Sequence, residues 1–175
     1  PNGVVTWFPG DKTAVEKRGG LVTLASTKDY GAQMPNTWLA SKKWLADNAP
    51  AVEKFILAGL KGGDQVKSHG IALKKASQIS QVVYDDASMT AADWEKAFKG
   101  YFYTDVKGNR VEIGGSRVWN LADNAEYFGL TGGTDKYKAV YETFGNIAVA
   151  AYPEIVPAYP AYTEAVNLTY LTKVY

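Results

Sequence analysis

PNTWLASKKWLADNAPAVEKFILAGLKGG, from Pro35 to Gly63, strings a short apolar strand, a capped short helix and a longer helix together without an intervening loop. Asn36–Ala40 carries Trp38 and Leu39 in a run too short for a helix and reads as a strand. Ser41 then offers a side-chain oxygen to the free amides of a new helix. Asp47 or Asn48 caps the next one, and Pro50 sits in its first turn, where a missing N–H costs nothing. Val52, Phe55, Ile56 and Leu60 recur at helical spacing and predict a buried face, and Gly62–Gly63 reads as the helix end.

The chain around this stretch has 175 residues, 46% of them hydrophobic and 21% charged, enough for one domain with a core or for a large piece of a bigger one. A net charge of +1 creates no field that gathers nucleic acid or an anionic membrane, so neither is expected as a partner. The absence of cysteine removes disulfides, thiolate nucleophiles and sulfur-ligated metals. No apolar run reaches the ~20 residues of a spanning helix. The opening PNGVVTWFPG has no signal-peptide pattern and no initiator Met, which reads as a processed product or a fragment.

Taken in order, Val4–Phe8 is a β-branched and aromatic run closed by the turn signal Pro9-Gly10-Asp11. Thr13–Arg18 predicts a short helix stopped by Gly19-Gly20, and Leu21–Ala25 a second strand. With Asn36–Ala40 this gives strands and helices in alternation, an α/β layer arrangement. Beyond Asp64, Val66, His69 or Gly70, Leu73, Ala76, Ile79 and Val83 form one helical stripe. Thr90 and Asp93 form a capping box ahead of Trp94, Ala97, Phe98 and Tyr101. Gly108-Asn109 predicts a hairpin turn, Ser116 a cap for a helix stopped at Gly129, and Thr134 a cap for a helix carrying Tyr137, Val140, Tyr141, Phe144, Ile147 and Ala148. Pro153, Pro157 and Pro160 then predict an extended Pro/Tyr-rich tail over 151–175, whose last residues form a short helix or strand.

Chemistry-bearing patterns are few. His69 is the single histidine, so no multi-histidine metal site exists, and its plain reading is a partly buried ring on a helix. Gly129–Lys136 has the glycines of a phosphate loop without its Gly-Lys-Ser/Thr ending, and reads as a turn between helices. The acidic pairs Asp85-Asp86, Asp123 with Glu126, and Asp105 with Glu112 lack calcium-loop spacing and read as solvated surface. Asn167-Leu-Thr169 matches a glycosylation acceptor, a pattern common by chance. Trp44, Trp94 and Trp119 read as core. Trp7 differs, because it ends a strand, and open α/β sheets bind ligands beyond the carboxyl ends of their strands. The strand ends nominate Thr6, Trp7, Asp11 and Asn36 as ligand-binding residues; no catalytic residue, metal or cofactor is expected.

VVTWFPGDKTA, GGLVTLASTKDYG and NTWLASKKWLADNAPAVEKFILAGLKG, in this order, resemble the solute-binding proteins of ABC importers for nitrate, aliphatic sulfonates, taurine and thiamine-precursor pyrimidines. Pro35–Leu60 carries the strongest likeness. Phe8 stands where that group has an acidic residue, and VNLTYL near the end resembles versions fused to an OmpA-like cell-wall-binding domain. The resemblance implies a helix-rich α/β chain, one incomplete lobe of a type II periplasmic binding protein with three α/β/α layers. Residues 1–150 would supply the C-terminal part of the binding domain, mainly lobe 1, and 151–175 the tail. It implies non-catalytic capture of a small polar or anionic molecule, an ABC permease as partner, and a periplasmic or cell-surface location. The lobe would lack its N-terminal strands and expose a sheet edge. The alternative is a structural subunit that completes its sheet by strand pairing with other copies, exchanging the arm 152–175 into a dimer or filament.

Overall fold

A computed structural model describes residues 3–26, 28–29, 37–115 and 118–175. Its class is mixed α/β and helix-rich, 56% helical with a small two-stranded sheet. In order, the described elements are α1 Gly10–Lys17, α2 Lys42–Asp47, α3 Ala49–Ser68, α4 Gly70–Tyr84, α5 Ala91–Lys99, β1 Tyr101–Thr104, β2 Arg110–Ile113, α6 Leu121–Tyr127, α7 Lys136–Ala151, α8 Tyr162–Ala165 and α9 Thr169–Val174. They fall into two units: Pro1–Trp38 with Gln65–Val118, and Leu39–Asp64 with Trp119–Tyr175. The division lies inside α3.

The first unit is built on the hairpin that Gly108-Asn109 predicts. β1 and β2 pair antiparallel, with Tyr101 opposite Ile113 and Thr104 opposite Arg110. Period-two alternation then sends Val111 and Ile113 inward, where they pack with Val15 of α1 and with Leu21, Tyr101 and Tyr103. Asp105, at the hairpin turn, is buried, which corrects its reading as solvated surface. Its carboxylate accepts from the backbone N–H groups of Gly20 at 2.6 Å, Lys107 at 2.8 Å and Asn109 at 2.9 Å. One side chain thereby holds the turn and ties it to the Gly19-Gly20 loop. Farther along, the Thr90–Asp93 capping box forms as expected, and Tyr84 of α4 stacks on Trp94 of α5 at 4.8 Å. The expected stripe on α4 is covered only at Leu73 and Ala76, whereas Ile79 and Val83 are exposed and the buried neighbour is Ser77. His69 is the exposed N-cap residue of α4, where the chain breaks between two helices, rather than a half-buried ring within one.

Three expected strands do not form among the described residues. Val4–Phe8 and Leu21–Ala25 are irregular, and Thr37–Ala40 is irregular as well; Pro35 and Asn36 lie outside the described residues. β-branched composition supplies a tendency, but a strand exists only with a ladder partner, and the described residues offer these segments none.

In the second unit Ser41 caps α2, its hydroxyl oxygen accepting from the N–H of Trp44 at 3.2 Å. Asn48 follows at the junction with α3, and Pro50 lies in the first turn of α3 as read from sequence. Gly62-Gly63 does not end this helix, which continues to Ser68. Gly63 instead marks a close approach, because a Cβ there would run into the carbonyl oxygen of Trp119. Ser116 lies outside the described residues; α6 takes its cap from Asn120, paired with Asp123 in a reciprocal box. Gly129, at φ 73°, stops that helix as expected, and Asp135 rather than Thr134 caps α7. The Pro-rich segment runs back along α7. Tyr159 crosses Gly145 and donates to Asn146 Oδ1 at 2.8 Å, while Tyr162 donates to Asp135 Oδ2 at 2.8 Å. α8 and α9 close the chain, and the Tyr170 hydroxyl donates to the Leu45 carbonyl at 2.8 Å.

The buried face of α3 differs from the predicted one: Val52 and Leu60 are buried, whereas Phe55 is 60% exposed. Trp44 is likewise 52% exposed rather than core. Leu60→Ala is therefore expected to cost about 2–5 kcal/mol, and Phe55→Ala under about 1 kcal/mol, measured by denaturant unfolding. Equal losses at the two positions would show that α3 is packed on its other face.

Candidate functional site

The sequence-nominated residues sit on the turn entering α1. The Trp7 carbonyl accepts from Gly10 N–H at 2.7 Å, and the Thr6 hydroxyl lies 3.4 Å from the same oxygen. Asp11 occupies the first turn of α1, where a carboxylate complements the helix N-terminus. Its Oδ1 accepts from Lys12 N–H at 2.7 Å, and its Oδ2 from the Gly114 N–H at 3.3 Å, which seats the turn on the end of β2. Thr6, Trp7 and Asp11 are thus brought together, while Asn36 lies outside the described residues. Trp7 is 80% exposed. Behind this turn Tyr101 is pushed up to about 12, first by burial and then by the negative charges of Asp11, Glu16 and Asp93.

A groove lies on the opposite face of the hairpin. It holds about 340 Å³ between residues 22–26 with 28–29 and the outward side chains of β1 and β2. Phe102, Arg110 and Glu112 face it because they fall on the alternate positions to Tyr101, Tyr103, Val111 and Ile113. Phe102 and Arg110 form a diagonal cross-strand pair, and the guanidinium stands 4.5 Å from the ring centroid. Lys28 pairs with Glu112, a hydrogen bond that raises the Lys28 pKa. The Thr23 hydroxyl donates to the Glu112 carbonyl at 2.9 Å, fastening residues 22–26 to β2. None of Thr6, Trp7 or Asp11 lines this groove. Gly108-Asn109 marks a turn in the sequence, but the connection is the five residues 105–109 and Tyr101, read from sequence on the preceding helix, opens β1, so the register that groups Phe102, Arg110 and Glu112 appears only in the structure. The groove's other half depends on how residues 22–26 with 28–29 fold back, which no local pattern announces.

Among the described residues no group of three or more His, Cys, Asp or Glu side chains is placed to hold a metal ion, and no helix is long and apolar enough to cross a membrane. Two buried polar atoms there, Trp94 Nε1 and the Tyr127 hydroxyl, have no hydrogen-bond partner. Tyr127 sits among Trp119, Phe128 and Tyr137, and its burial raises the pKa of its phenol. No protein-family model matches the chain, and neither a curated protein nor a solved structure matches it significantly.

Proposed function

We propose that this chain is a non-catalytic solute-binding module of an ABC-type importer, the C-terminal portion of a type II binding protein, working in the periplasm or at the cell surface. It captures a small polar or anionic molecule and delivers it to a membrane permease. The supporting observation is the groove of about 340 Å³ beside the hairpin, lined by charged and hydroxyl side chains and near the lower end of the about 300–1,000 Å³ span of ligand pockets. In this reading Val4–Phe8 and Leu21–Ala25 are strands of a three-layer lobe that pair with strands outside this chain. Thermal shift of the chain, and of any longer precursor, against nitrate, sulfonates, taurine, pyrimidines and amino acids tests it. A ligand at 100 times its Kd should add about 2.7 kcal/mol. The absence of stabilisation by every solute in both forms would sink the proposal.

A second reading has its own observation. Val5 is 102% and Leu24 93% exposed in segments of β composition without a ladder partner, the condition for strand pairing between copies. The tail 152–175, which the same reading exchanges between copies, docks on α7 of its own chain through Tyr159 and Tyr162. Light scattering on the eluting protein separates the readings. A monomer at micromolar concentration removes self-assembly, whereas a defined oligomer that Val5→Lys dissolves favours it.

A further inference from the structure

After Lys28 and Glu112 neutralise each other, the groove beside the hairpin retains one cation and one anion, Arg110 and Asp29. Among the described residues Arg110 has no hydrogen-bonded or ion-paired partner; its guanidinium rests on the Phe102 ring at 4.5 Å. A guanidinium that rests on an aromatic ring without hydrogen bonds keeps N–H donors to offer, and two of them match the two oxygens of a carboxylate. Asp29 makes no ion pair or hydrogen bond through its carboxylate among the described residues, although its charge acts at longer range on Lys28 and its backbone N–H donates to the Ser26 carbonyl at 3.0 Å. An anion alone would meet Asp29 unfavourably, and a cation alone would meet Arg110. A ligand bearing both charges satisfies both, and Val22 gives it an apolar wall.

From this juxtaposition we infer that the groove between residues 22–26 with 28–29 and the outer hairpin face binds a small zwitterion of the amino-acid class, its carboxylate on Arg110 and its ammonium on Asp29. The inference deepens the solute-binding reading by giving ligand class and place, and it fails separately from it. The groove is the binding surface; the Trp7 turn, on the other face of the hairpin, contributes no contact.

Calorimetric titration of the whole chain with each common amino acid, and with acetate and methylamine as single-charge probes, tests the inference. At least one amino acid should bind while both single-charge probes fail. Arg110→Ala and Asp29→Asn should each weaken that binding by about tenfold or more, and Arg110→Lys, which keeps charge without the planar fork, should weaken it as well. Both side chains are exposed, so the variants should keep the parent's unfolding midpoint. Acetate binding as tightly as the amino acids would overturn the zwitterion. Binding that survives Arg110→Ala but is lost in Trp7→Ala would move the site to the α1 turn, overturning the groove while leaving solute binding standing. Failure of every amino acid overturns the inference, and the anion, sulfonate and pyrimidine arms of the thermal shift then decide the broader reading.

Discussion

Asp105→Ala is expected to raise amide exchange at Gly20, Lys107 and Asn109 by more than about tenfold, while exchange in α7 stays unchanged. The substitution strips the shared acceptor from three backbone donors at once. The same geometry predicts an acid dependence. The Gly20 N–H foremost, then those of Asn109 and Lys107, hold the Asp105 carboxyl down at about 2. Its unfolded value is about 3.9. The folded pKa is the lower one, so the stability that Asp105 contributes is present above about pH 4 and is lost as pH falls through about 2. Asp105→Ala should therefore flatten the acid limb between about pH 4 and 2. It should not abolish it, because Asp93 is shifted the same way by the Thr90 hydroxyl. An acid limb and exchange pattern identical to the parent's would show that the turn is held by the Gly108-Asn109 backbone alone.

The adjacent glycines of α3 should respond with opposite signs. At Gly62 an added methyl meets nothing within 4 Å, so Gly62→Ala gains helix propensity and should stabilise by about 0.5–1 kcal/mol. At Gly63 the methyl runs into the Trp119 carbonyl oxygen, a backbone atom just ahead of the Asn120 cap. Relief requires moving the start of α6, and the Asn120 side chain that donates to Asp64 Oδ1 at 3.0 Å moves with it. Gly63→Ala should therefore destabilise by about 1–3 kcal/mol, against the propensity gain. Denaturant midpoints of the two variants settle the matter; a stabilising Gly63→Ala would mean that α3 and α6 do not approach as described.

Features governed by a few neighbouring residues were legible in the sequence. Ser41 caps α2, Thr90 and Asp93 form a reciprocal box, Gly108-Asn109 turns a hairpin, and Gly129 stops a helix, because each depends on a backbone group within a few residues. The candidate site was half legible: alternation on β2 groups Arg110 with Glu112, and Thr6, Trp7 and Asp11 share one turn. Asp105 reads as solvated surface in the sequence and is buried in the fold for a physical reason. Nothing adjacent in sequence distinguishes a surface aspartate from one that also accepts a hydrogen bond from an amide 85 residues away.

By itself, then, the sequence determined the Ser41 and Thr90–Asp93 caps, a turn at Gly108-Asn109, the stop at Gly129 and the helix-rich α/β class, but not the hairpin register, the cap of α7 or the run of α3 past Gly62-Gly63. Tertiary structure alone decided which apolar residues are covered, why Gly63 must lack a side chain, and that Val4–Trp7 and Leu21–Ala25 stand without ladder partners. The division follows the range of the forces. Caps and turns are satisfied within a few residues, whereas burial and strand pairing depend on surfaces that only long-range folding brings to face one another.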